Sequence, residues 1–78
     1  MLNKLFIVDR EFGTVLKNRR ELMSMTQQDL ALDGELSRAY ISELEKGRKN
    51  VSLSSLFKLS YALNIKPSLL MYQLETRI

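Results

Sequence analysis

The residues with the most chemical capacity in this chain lie close together, between Arg38 and Lys49. Arg38, Ala39, Ser42 and Glu43 come first, and the cations Lys46, Arg48 and Lys49 follow at once. A guanidinium donates two parallel N–H groups to O6 and N7 of guanine, a pairing worth about 1–3 kcal/mol of discrimination between bases. Arg38 is therefore the first candidate for reading a base. Glu43 has the complementary chemistry: it accepts from cytosine N4, or it repels wrong sites. Cations beside phosphates release condensed counterions and give affinity without sequence preference. That is the part expected of Lys46, Arg48 and Lys49.

What the chain lacks narrows its chemistry. The 78 residues contain no cysteine and no histidine, which removes disulfides, the usual metal ligands and the usual general base. There is no glycine-rich phosphate loop, and nothing gathers the carboxylates into a pocket. Neither an enzyme, nor a metal site, nor a cofactor is expected. The longest apolar stretch, residues 5–8, is far short of the ~20 residues of a membrane span. Residues 1–10 lack the long apolar centre and cleavage site of a signal peptide. The composition suits a reducing cytosol. Lys and Arg number 12 against 9 Asp and Glu, and the net charge of +3 is too mild to name a partner by itself. Placement says more: a second basic run, Lys17-Asn18-Arg19-Arg20, is separated from the first by Asp29, Asp33, Glu35, Glu43 and Glu45.

The elements that must carry these groups read as an all-α domain of five short helices. Asp9 is the expected cap of the first, with Phe12, Val15, Leu16, Leu22 and Met23 at helical spacing. Thr26 and Asp29 form a capping-box-like pair for a second helix from Gln27 to about Asp33. Gly34 is expected to stop it. Ser37 caps a third helix that reaches about Lys46 and is stopped by Gly47. Ser52 caps a fourth, with Leu53, Leu56, Leu59, Ala62 and Leu63 on one face, and Asn64 ends it. Pro67 opens a fifth that reaches about Leu74. The domain is expected over residues 9–74, with a fraying tail at 75–78. Residues 1–8 fit a short strand, an arm onto a second subunit, or an early turn of the first helix; an ordered arm is favoured.

Two short helices joined by a four-residue turn form the core of a helix-turn-helix. Ala31 is small where the helices must cross. Leu36 can plug the core beneath the turn, and Ile41 and Leu44 hold the second helix against the first. On these residues the chain resembles the Cro/phage-repressor helix-turn-helix family: Thr-Gln-Gln-Asp-Leu-Ala at 26–31, Leu-Ser-Arg-Ala-Tyr-Ile-Ser-Glu-Leu-Glu-Lys-Gly at 36–47, and the run at 48–59 with Ala62-Leu63. Arg-Ala-Tyr-Ile-Ser followed by Gly-Arg-Lys-Asn is most similar to controller proteins of restriction–modification systems.

The resemblance implies a five-helix bundle that binds palindromic operators as a homodimer. It implies that Ser37, Arg38, Ala39, Ser42 and Glu43 face bases, and that Tyr40 lies against the backbone or a thymine methyl. It implies that Gln27 grips a phosphate, and that Lys46, Arg48, Lys49 and Asn50 follow the phosphates of the strand. It also implies that Arg20 and Glu45 tie the first helix to the recognition helix. Two positions depart from the family pattern. The turn glycine expected at Glu35 stands at Gly34, which predicts a strained backbone at Glu35. The glycine usual before the motif is Ser24.

The last two helices hold more apolar residues than one inner face needs. Phe57, Tyr61, Leu69, Met71 and Tyr72 are the surplus, which predicts a twofold interface. A sequence-specific regulator of transcription is the resulting expectation, acting in the cytoplasm at the nucleoid. It would be a restriction–modification controller that both activates and represses, with Asp29, Asp33 and Glu35 offered to RNA polymerase. The alternative is an antitoxin or adaptor that keeps the bundle for protein interaction.

Overall fold

The computed structural model describes the backbone of residues 2–78 and the side chains of residues 7–78. Five helices follow one another: α1 (Leu2–Leu22), α2 (Gln27–Gly34), α3 (Arg38–Glu45), α4 (Leu53–Ala62) and α5 (Pro67–Glu75). The expected caps hold the central three. The Thr26 hydroxyl accepts from the Asp29 N–H, and the Asp29 carboxylate accepts from the Thr26 N–H in return. Ser37 and Ser52 accept from the N–H groups of Tyr40 and Ser55. Pro67 opens α5, where its missing N–H leaves no bond unmade.

The largest departure from expectation is at the beginning. Helix α1 starts at Leu2, so Asp9 sits inside it and caps nothing. The expected arm is the opening of this helix rather than a separate segment. Nothing between residues 2 and 8 breaks a helix: there is no proline or glycine. Met1 lies outside the described residues. The far end differs too, because Arg77 donates to Glu11 at 2.8 Å and pins the expected loose tail to α1.

Helix α1 packs against α3 and α5, α2 against α3 and α4, and α4 against α5. Between them lies one core, in which Leu16, Leu30, Ile41, Leu44, Leu59, Leu63 and Leu70 have no exposed surface. Ala31 is buried as the close helix crossing requires, and Leu36 packs on the core from the turn. Three residues expected inside are not there: Leu22, Met23 and Leu53 are exposed. Leu22 ends α1 and Met23 follows it in the turn, and Leu53 opens α4 on its outer side. No helix among the described residues is long and apolar enough to cross a membrane.

The chain turns between helices in left-handed backbone at Ser24, Glu35 and Asn64, with φ of 56°, 57° and 53°. Glu35 is the strained residue that the displaced glycine predicts. Gly34 does not stop α2; it is its last helical residue. A Cβ at Gly34 would meet Leu36 Cδ1 and the Lys58 carbonyl at 3.7 Å, an ordinary contact. The pair is thus the wrong way round for stability. Gly34→Ala with Glu35→Gly should raise stability by about 1 kcal/mol, or roughly 4–8 °C in Tm, measured by thermal unfolding.

Two carboxyls give the fold its acid limb. Glu11 is held below the usual range by its hydrogen bond from Arg77, and Asp29 by the Thr26 backbone N–H. Each is easier to ionise folded than unfolded. The stability they contribute is complete above the ordinary carboxylate range, near pH ~4, and is lost as pH falls through the depressed values. Thermal melts should be flat in this respect near neutrality and decline below about pH 4. Glu11→Gln with Asp29→Asn should flatten that decline.

Candidate nucleic-acid interface

Helix α3 has two faces. Ile41 and Leu44 are wholly buried, whereas Ser37, Arg38 and Ala39 at its leading end are exposed and Ser42 and Glu43 are half-exposed. The three-residue turn from α2, Glu35 to Ser37, leads into this exposed end. Among the described residues, the side chains of Arg38, Lys46 and Lys49 make no hydrogen bond or ion pair. Arg48 has only a loose ionic neighbour, Glu43 Oε2 at 3.8 Å. That oxygen is buried with no hydrogen-bond partner. The groove beside α3 is lined by Ser37, Ala39, Tyr40, Glu43, Lys49 and Ser52 among others, while Arg38 and Ser42 lie outside its lining.

The direction of α3 is set from α1. Arg20 donates to both carboxylate oxygens of Glu45, at 2.6 and 2.9 Å, with side chains only 11% and 4% exposed. The hydrogen bond to Glu45 raises the arginine above its ordinary value, against the cost of burial. The remaining Arg20 nitrogen donates to the Met25 carbonyl at 2.8 Å. The expected ion pair is present, and it also fixes the connection to α2. Immediately after the core residue Phe12, Gly13 meets the end of α3 almost backbone to backbone. A Cβ there would lie 2.5 Å from the Leu44 carbonyl oxygen and 2.7 Å from that of Glu45.

Several residues are placed differently from their expected roles. Gln27 donates inward to Glu45 at 3.1 Å, leaving one amide N–H for any phosphate. Tyr40 is half-buried, and its hydroxyl accepts from the Ser52 N–H at 3.4 Å, which links α3 to the start of α4. Asn50 is exposed, but its amide is given to Asp9. In the basic run at residues 17–20, Arg19 donates to the carbonyls of Leu63 and Asn64, both at 3.1 Å, and Arg20 is in the ion pair. Only Lys17 remains there as an uncommitted cation. Of the surplus apolar residues, Phe57, Tyr61, Leu69 and Tyr72 are exposed, while Met71 is partly covered by the core. Leu53 joins them, four residues before Phe57 on the same face of α4. Phe57 and Tyr61 meet edge to face at 6.2 Å.

Sequence reasoning missed Gly13, Arg19 and Asp9. A glycine inside a helical pattern was the available signal for the first. The other two act across distances in the chain that no local pattern reports. Glu45→Ala should cost about 3 kcal/mol, because it leaves a guanidinium buried without its partner, and Arg20→Met with Glu45→Met should recover much of that in denaturant unfolding.

Residues 16–70 match the helix-turn-helix family model. Control protein C.BamHI of Bacillus amyloliquefaciens is 44% identical over 57 residues, which cover 72% of this chain and 70% of that protein. The crystal structure of the restriction–modification controller protein C.AhdI from Aeromonas hydrophila aligns with a TM-score of 0.76 at 38% identity, over 78% of this chain and 92% of that one. The controller protein C.Esp1396I, crystallised as a tetramer with its natural 35-base-pair operator, aligns with a TM-score of 0.82 at 28% identity, over 90% of this chain and 92% of that one. The chain belongs to the helix-turn-helix family, among the controller proteins of restriction–modification systems.

Proposed function

We propose that this chain binds a palindromic DNA operator as a homodimer and regulates transcription of a restriction–modification system from the cytoplasm. The observation that carries the reading is the exposed leading end of α3, with Arg38 uncommitted and Lys46, Arg48 and Lys49 beside it. The operator complex of the related C.Esp1396I supports it. In this reading Arg38 reads a base, most simply guanine. Ser37, Ala39 and Ser42 shape the contact, and the Glu43 carboxylate discriminates by its charge. Lys46, Arg48 and Lys49 hold the phosphates, with Gln27 offering its second N–H and Tyr40 its hydroxyl proton.

The apolar strip Leu53, Phe57, Tyr61, Leu69 and Tyr72, with the edge of Met71, is the dimer surface. A twofold arrangement places the recognition helices about one DNA turn apart, ~34 Å. Asp29, Asp33 and Glu35 are exposed on α2 and its turn, and are offered to RNA polymerase. Asp33→Lys should then lower activation while operator affinity holds.

A gel shift with the duplex upstream of the chain's own coding sequence tests the reading. The protein should bind it over unrelated DNA, and sedimentation should give a concentration-dependent dimer. Arg38→Ala should cost about 1–3 kcal/mol and relax preference at one base pair per half-site. Lys49→Ala should weaken all duplexes alike and reduce the salt slope by about 1. A folded wild-type protein that prefers no sequence in that region would sink the proposal.

A further inference from the structure

The loop between α3 and α4 is fastened to α1 at two neighbouring points. Asn50 donates from Nδ2 to both carboxylate oxygens of Asp9, at 2.7 and 2.6 Å. Three residues earlier, Gly47 adopts φ of 73° and lies so close to α1 that a Cβ would fall 2.8 Å from Arg10 Cα. Asp9 and Arg10 are successive residues, so residues 47–50 are laid along a single turn of α1. Arg48 and Lys49, between the two fastenings, are exposed.

We propose that Asp9 is a positioning residue for DNA binding. By holding Asn50, it sets the backbone of residues 47–50 before the duplex arrives, so that Arg48 and Lys49 meet phosphates without first being ordered. A loop ordered in advance spares the complex that entropic cost. The inference rests on the DNA-binding reading above and assigns a role to a residue outside the helix-turn-helix. It also accounts for Asn50, whose amide is spent within the protein.

The sign of the effect separates positioning from plain charge. Asp9 is an anion beside the path of a polyanion, and Arg10 turns its guanidinium to Glu11 at 3.3 Å. On charge alone, removing the Asp9 carboxylate should tighten binding and steepen its dependence on salt. If Asp9 positions the loop, removing it should weaken binding with the salt slope unchanged.

The experiment compares wild type, Asp9→Ala, Asp9→Asn, Asn50→Ala and the double alanine variant on the upstream duplex, across a salt series. It is run at a temperature where melts show every variant folded. Asp9→Ala and Asn50→Ala should each weaken binding by roughly 5–10-fold, and the double variant should be no worse than either, as coupled partners behave. Asp9→Asn keeps an acceptor for the Asn50 amide and should recover most of the affinity. Binding by Asp9→Ala as tight as wild type or tighter, or additive losses in the double variant, would overturn the inference. If wild type itself binds no duplex, the functional reading fails; if wild type binds and Asp9→Ala binds equally, only the positioning role fails.

Discussion

Arg20 and Glu45 face each other where water hardly reaches, and neither charge could be left there alone at a tolerable cost. Their two hydrogen bonds fix the end of α3 against α1. The same guanidinium reaches the Met25 carbonyl and so holds the link into α2, while Gln27 adds an amide from α2 itself. One desolvated pair thus joins three helices. Gly13 makes the junction possible, since no side chain could stand between the α1 backbone and the last carbonyls of α3. The outward face of α3 inherits its angle from this contact.

The cations divide into two populations. Arg19, Arg20 and Arg77 are used for architecture: Arg19 closes the C-terminal end of α4, where carbonyls are left over and the helix dipole favours positive charge. Arg38, Lys46, Arg48 and Lys49 stay on the surface. Arg20 and Arg77 are paired with carboxylates and Arg19 is held by carbonyls, whereas Arg38, Lys46 and Lys49 are left free for an outside anion.

The elements that depend on local chemistry were legible from residue types alone. Thr26, Ser37, Ser52 and Pro67 open their helices as their side chains or ring dictate, and the displacement of glycine to position 34 foretold the left-handed Glu35. The residues that look outward on α3 could be named because Ile41 and Leu44 define its inner side. What the sequence did not disclose depends on partners far along the chain. Asp9 has the chemistry of a helix cap, and only the approach of residue 50, 41 positions away, gives its carboxylate another use. Leu53 follows the apolar rhythm of α4 yet faces out, because periodicity cannot tell which side of a short helix a neighbour will cover. Helix α1 opens at Leu2 because no breaker precedes Asp9, and that continuity outweighs the cap chemistry of the aspartate.

Helix α1 spans 21 residues, and nearly every tie it makes reaches to a remote part of the chain. Its side-chain bonds to Glu45, Asn50, Leu63 and Arg77 bridge 25, 41, 44 and 66 positions. The contacts of α2 with α3, by comparison, close a short loop. This asymmetry has a kinetic consequence: the central helices can collapse first, and the long helix docks last because it must close the largest loops. Amide exchange should then find α1 opening more readily than the unit it braces, and each such opening would momentarily free α3 from its alignment.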